Sequence, residues 1–300
     1  MTSSRLHNDF PAAVLFILPS FIGFFIFLLV PIFSTMLLSF TNYSGSFART
    51  AFIGLKNYAT VVKDPNFWKS VRVTGVFVFF STVCQLFLGF SFALILNRRL
   101  KGTVFFRSVF FLPVILSSVA ICLSFVFIFH PSKGPVNMLL ESMHLPRQPW
   151  LSGKSTALMT VIFVFIWQSF GYYMIIFLSG LQTINADLYE VADIDGATNF
   201  QKLYKITIPG LSPVIFFSTI IAIINAFKSF DNIFIMTGGQ YGGGPARATH
   251  VLSFDIYQKG FIFWQVGYGA AESVILFCIV MLITVIQIQM QKRWVNFDVV

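Results

Sequence analysis

The sequence predicts an all-α integral membrane protein with six transmembrane helices. Three observations carry that prediction. Hydrophobic residues make up 56% of the chain and charged residues only 10%, whereas a soluble globular protein carries roughly 25% charged residues. The apolar residues fall in runs of about 20 or more, the length a helix needs to cross a hydrocarbon core of about 30 Å. The runs are also continuous, whereas a membrane barrel shows alternating segments of about 10 residues. A soluble chain with so little charge would expose large apolar patches and aggregate.

The first run, Pro11–Phe40, is too long for a signal-peptide core and lacks a small-residue cleavage site, so it reads as a retained first span. The others are Val71–Asn97, Ser108–Phe129, Ala157–Leu181, Val214–Met236 and Gly267–Met290. Each is expected to be helical, because lipid leaves the backbone only internal hydrogen-bonding partners. Pro19, Pro31 and Pro113 are expected to kink spans or mark their ends. The 39 phenylalanines are read as lipid-facing filler. The domain organisation is then a tail at 1–10, a six-span membrane domain at 11–290 and a tail at 291–300.

The net charge is +9, but the basic residues are scattered through the connections between apolar runs. They serve as anchors at the membrane surface, so no nucleic-acid partner is expected. Six crossings return both termini to one side. Lys and Arg number nine on that side and ten on the other, yet the densest cluster is the short Asn97–Arg107 connection, with Arg98, Arg99, Lys101 and Arg107. Short loops weigh most in the positive-inside rule, which places both termini in the cytoplasm. Cys84, Cys122 and Cys278 all lie in apolar runs without metal-ligand spacing. The histidines His7, His130, His144 and His250 are dispersed. No metal site and no catalytic constellation is expected. Gly153-Lys154-Ser155 has the ending of a Walker motif, but Gln148 stands where glycine is required, so this chain is not expected to bind nucleotide.

The connection between the fourth and fifth runs, residues 185–213, reads as two short helices with a sharp break. Asn185 is a good N-cap, and Asp187 sits in the first turn, where the helix dipole favours negative charge. Gly196 can take the left-handed conformation that ends a helix. Thr198 and Gln201 have the spacing of a capping box, and Pro209 and Pro213 are expected to close the segment.

Glu190-Val191-Ala192, Asp195-Gly196-Ala197 and Ile206-x-Ile208-Pro209 resemble the EAA loop of bacterial ABC importer permeases, with Val191 where that family usually has alanine. The resemblance covers nearly the whole chain. Phe52–Tyr58, Asp64–Trp68, Leu96–Gly102 and the stretch from Phe105 through Pro113 look like the carbohydrate-uptake branch. It implies the ABC importer permease fold in the cytoplasmic (inner) membrane, with the loop acting as a cytoplasmic coupling helix on an ATPase. Glu190, Ala192, Asp195, Gly196, Ala197 and Pro209 are the coupling residues it implies. The implied partners are a second permease, two copies of an ABC ATPase, an external solute-binding protein, the carbohydrate and membrane lipid. ATP and Mg would bind the ATPase subunits, with no cofactor on this chain.

Polar residues inside spans are costly and face a partner or a pathway. The fourth run carries Trp167–Tyr173 with Gln168, the fifth carries Asn225, Lys228 and Asp231, and the third carries Ser117 and Ser118. Amides suit sugar hydroxyls, and aromatic faces suit sugar rings. Lys228 and Asp231, three apart, are expected to share a helix and to be able to neutralise one another. Resemblance to the maltose permease places sugar contacts at Ser118, Gln168, Tyr173 and Asn225. The outer loop Gly238–Pro245 resembles that family's Thr-Gly-Gly-Pro turn but is longer. The rival function is a self-sufficient carrier coupled to H+ or Na+, with Lys228, Asp231 and Glu272 as its ionisable groups. Such carriers commonly carry inverted repeats, and none is visible here.

Overall fold

A computed structural model describes residues 10–46, 50–98, 101–239 and 242–294. Arg5, His7, Arg49, Arg99, Gln240, Tyr241, most of the N-terminal tail and residues 295–300 lie outside them, as do the side chains of Lys292 and Arg293. Among the described residues the regular structure is helical, with one isolated antiparallel bridge between Thr41 and Phe52. Four helices are long and apolar enough to span a membrane alone, and six spans result if each of two bent pairs is counted as one.

The chain divides into two compact units, residues 1–64 with 259–276 and residues 65–258 with 277–300. The first contains α1 (Phe10–Phe24), a π turn at Phe25–Leu29, α2 (Val30–Leu38) and α3 (Lys56–Lys63). Pro31 lacks the N–H that would bond the carbonyl of Phe27, and its ring crowds that carbonyl. The π turn resolves this: Val30 N–H bonds Phe25 O, and the helix passes through. It also continues through Pro19, so neither proline ends the span. The Asn57 amide holds the end of this span by donating to Ser39 O and Thr41 O, each at 2.8 Å. Later in the unit, Tyr268 Oη donates to Asp64 Oδ2 at 3.2 Å, and Lys259 pairs with the same carboxylate at 3.7 Å.

The second unit is built on α4 (Pro65–Leu96) and α8 (Ala157–Leu181), which pack along one another; the short α7 (Pro135–Ser142) precedes α8 in the chain. Gly89 permits this approach: a β-carbon there would lie 2.9 Å from Tyr173 Cβ and 3.0 Å from the Met174 nitrogen. Small residues let helix backbones close on one another in a membrane. Gly171 does the same against the Phe110 carbonyl of α5 (Thr103–Ile115), and Gly180 against Leu211 and Val214. The resulting core includes Ala93, Leu96, Met174, Phe177, Leu178, Leu181 and Ala222.

Two expected spans are broken. The third is α5 followed by α6 (Ser118–Ile128), bent by 96°, with Leu116 at ψ 150° and Ser117 at ψ 125° in extended conformation. Pro113, within the last turn of α5, prepares this stop by removing a donor. The fifth run, Val214–Met236, is α12 (Ser212–Phe227) and α13 (Asp231–Met236) separated at Lys228–Phe230. Lys228 therefore lies in the break, just past the end of α12, while Asp231 opens α13, and among the described residues no ion pair joins them. The expectation that they share a helix fails, because periodicity within a continuous apolar run does not reveal where the backbone stops being helical.

Candidate solute path and coupling loop

Residues 185–213 fold as their local chemistry dictates. The Asn185 side chain accepts from Asp187 N–H at 3.0 Å and starts α9 (Ala186–Ile194). Gly196 ends it at φ +72°. Its N–H bonds Asp193 O at 3.1 Å, and Ala197 N–H bonds Ala192 O at 2.9 Å. That pair of bonds is a Schellman motif, which satisfies two orphan carbonyls. No atom lies within 4 Å of a β-carbon built on Gly196, so backbone conformation alone, without crowding, favours glycine there. The Thr198–Gln201 capping box is fully formed and opens α10 (Asn199–Lys202).

From α10 the helix runs through a π turn at Leu203–Thr207 into α11 (Ile208–Gly210). This repeats the device before Pro31: Ile208 N–H bonds Leu203 O, immediately ahead of Pro209. Pro209 thus lies within the helical arm and does not close it. The 65° bend into α12 comes at Leu211. Lys202 ties the two halves of the hairpin by pairing with Asp193 at 2.6 Å, and Tyr189 Oη lies 2.9 Å from Thr207 Oγ1. Glu190, Asp195 and Gly196 are exposed, while Ala192, Ala197 and Pro209 are partly buried. Val191 and Ile194 are 57% and 85% exposed, and Phe200 and Tyr204 are exposed too. The hairpin therefore presents uncovered apolar side chains beside its acidic ones.

The four candidate path residues, Ser118, Gln168, Tyr173 and Asn225, line one cavity of about 320 Å3. They share it with Gln85, Val114, Phe165, Ser169, Tyr172 and Asn232. On α8 the residues 165, 168, 169, 172 and 173 recur at three- and four-residue intervals, so a single stripe of that helix faces the space. Tyr173 is buried and shares the cavity wall with Asn225. Asn232 Nδ2 donates to Gln168 Oε1 at 3.3 Å. Amides, hydroxyls and aromatic faces make this wall, which can exchange hydrogen bonds with neutral polar groups and offer flat apolar surface.

Both helix breaks lead to this cavity. Ser118 is the first residue of α6 after the 116–117 bend, and Asn225 and Asn232 flank the break at Lys228–Phe230. At membrane depth, non-helical backbone is tolerated only where protein buries it or where it lines a water-filled cavity. Gln85 and Asn232 carry no local sequence signal, since each is a lone amide whose neighbours in the fold come from other helices.

A second polar cluster joins residues far apart in the chain. Asp255 and Ser70 are fully buried and His250 nearly so. Ser70 Oγ donates to Asp255 Oδ2 at 3.2 Å, and Arg247 donates to Asp255 Oδ1 at 3.0 Å. Arg247 also meets His250 Nδ1 at 3.0 Å, while His250 Nε2 meets Gln258 Oε1 at 3.1 Å. An arginine can only donate, so Nδ1 accepts and the ring carries its proton on Nε2. Ser70 and Arg247 contend for the same nitrogen, and Gln258 engages the other. That is a closed clasp and not a nucleophile with a free base. It holds Ala246 and Arg247 at φ +53° and +61°, assisted by Lys69 Nζ donating to Ala246 O at 2.6 Å. The dispersal of the histidines along the chain hides this cluster.

Residues 85–295 match the family described as binding-protein-dependent transport system inner membrane component. The probable ABC transporter permease protein YurN of Bacillus subtilis is 36% identical over 282 residues, covering 93% of this chain and 95% of that protein. The trehalose/maltose transport system permease protein MalF of Thermococcus litoralis is 31% identical over 97% of both chains. Among solved structures, a chain of a bacterial alginate ABC transporter, crystallised with an alginate pentasaccharide-bound periplasmic protein, superposes with a TM-score of 0.84. That chain is 23% identical, with 97% of each chain covered.

Proposed function

The chain belongs to the family of binding-protein-dependent transport system inner membrane components, and from that membership we propose that it forms half of a carbohydrate path in an ABC importer. A second permease supplies the other half, an external solute-binding protein delivers the sugar, and two ATPase copies bind ATP and Mg and perform the hydrolysis. The observation that carries the reading is the cavity: the helix breaks at 116–117 and 228–230 lead to a wall of neutral amides, hydroxyls and aromatic rings. A sugar presents hydroxyls that both donate and accept and ring faces that stack. The sugar system named for the Thermococcus relative supports the same class.

Coupling falls to the 185–213 hairpin, which lies in the cytoplasm in this reading, on the side of both termini. Closure of the ATPase dimer pushes α9 through Glu190, Ala192, Asp195 and its exposed apolar side chains. Gly196 and Ala197 fix the angle between α9 and the arm, and the arm through Pro209 carries the displacement to the bend at Leu211. The cavity then opens outward and afterwards inward. A mild-detergent pull-down of the tagged chain from its native membrane tests this. Stoichiometric recovery of an ABC ATPase and a second six-span permease is expected. Recovery of the chain alone as a transport-competent species would overturn it in favour of a self-sufficient carrier.

A further inference from the structure

Gln85 lies on α4, a helix for which the sequence marks no path residue. Its side chain is fully buried and lines the cavity with Ser118, Gln168 and Asn225. Ser169 Oγ lies 3.1 Å from Gln85 Oε1, and Gln85 Nε2 has no hydrogen-bond partner. Ser169 has one proton and two acceptors in reach, Gln85 Oε1 and the Phe165 carbonyl. Ser169 can donate that proton to Phe165, in which case the Gln85 amide turns over and donates to Ser169. In either orientation one end of the amide is held and the other is unmet. A buried amide end without a partner is costly, and a polar side chain at membrane depth faces a pathway or a partner.

We propose that Gln85 faces the moving solute and exchanges a hydrogen bond with it, adding α4 to the reading wall. The proposal rests on the cavity being the solute path. A hydroxyl meets the free end of the amide in both orientations, since it donates and accepts. An anionic group meets it in only one, and none of the lining residues carries a positive charge to offset its desolvation. The class of ligand Gln85 selects is therefore an uncharged polyhydroxyl solute.

Cysteine labelling in the complete transporter tests this, in a parent carrying Cys84→Ala and Cys278→Ala, with Cys122 fully buried. The probe is the small water-soluble reagent methanethiosulfonate ethylammonium. Ser118→Cys and Gln168→Cys report the path, and Ala93→Cys, eight residues further along α4 and fully buried in the core, is the closed control. Gln85→Cys is expected to label within about tenfold of Ser118→Cys and at least about tenfold faster than Ala93→Cys. Labelling at 118 and 168 with Gln85→Cys no faster than the control would overturn the proposal and leave the path standing. Failure of all three would remove the path and the proposal together. With labelled maltotriose as a transport probe, Gln85→Leu is expected to raise KM about fivefold with little change in maximal rate. Gln85→Asn is expected to recover part of that, and an unchanged KM in Gln85→Leu would count against contact.

Discussion

The 185–213 hairpin and the polar cavity are built by opposite means. Each turn of the hairpin is decided by residues within six positions of one another: Asn185 with Asp187, Ala192 with Ala197, Thr198 with Gln201. The cavity is decided by contacts between residues far apart, such as Ser169 with Gln85 and Asn232 with Gln168. A locally encoded element keeps its shape while its surroundings change, which suits a part that is pushed. An element assembled from several helices changes shape when any of them moves, which suits a part that must open and close.

Substitutions in the two regions should act differently. The largest effect is expected at Gly171, where any side chain meets the Phe110 carbonyl. Gly171→Leu should separate α5 from α8 and cost about 3 kcal/mol by overpacking, read as loss of monodisperse protein on heating in detergent. Gln168→Leu removes a cavity amide without crowding and leaves Asn232 Nδ2 without its acceptor. Uptake KM should rise about five- to tenfold, the worth of one hydrogen bond, with assembly intact. Asn185→Ala removes a local cap worth about 1 kcal/mol. Maximal uptake should fall severalfold at unchanged KM, since the hairpin frays while the cavity is untouched. The smallest effect belongs to Lys202→Ala. Its partner Asp193 is well exposed, and such pairs contribute about 0.5 kcal/mol or less, so uptake should stay within about twofold of wild type.

The same contrast explains what was legible in the sequence. Caps and the αL glycine are short-range signals, and the structure forms every one of them. The polar and aromatic run Trp167–Tyr173 was legible as chemistry inside a span, and resemblance singled out Gln168 and Tyr173 within it together with Ser118 and Asn225; the fold gathers these four into one cavity. The two helix breaks were unequally legible. Pro113 announced the first, three residues ahead of Leu116, whereas Lys228–Phe230 contains neither glycine nor proline, so tertiary packing imposes the stop there that local propensity does not. Gln85 was silent for a related reason: its partner is 84 positions away, and a lone amide in an apolar run gives no clue to what it faces. The π turns ahead of Pro31 and Pro209 were equally hidden, since proline announces a missing donor without saying whether the helix ends or widens.

In the proposed mechanism the geometry at Gly196 carries motion from the ATPase to the path, so a substitution at that residue is decisive. Gly196→Asp places a β-carbon in the left-handed region, costing about 1–2 kcal/mol, at a position with open space around it. The fold should survive and only the angle between α9 and the arm should change. In the reconstituted transporter, solute uptake should fall to background while the complex remains assembled and in the membrane. Normal uptake by an intact Gly196→Asp complex would contradict the account.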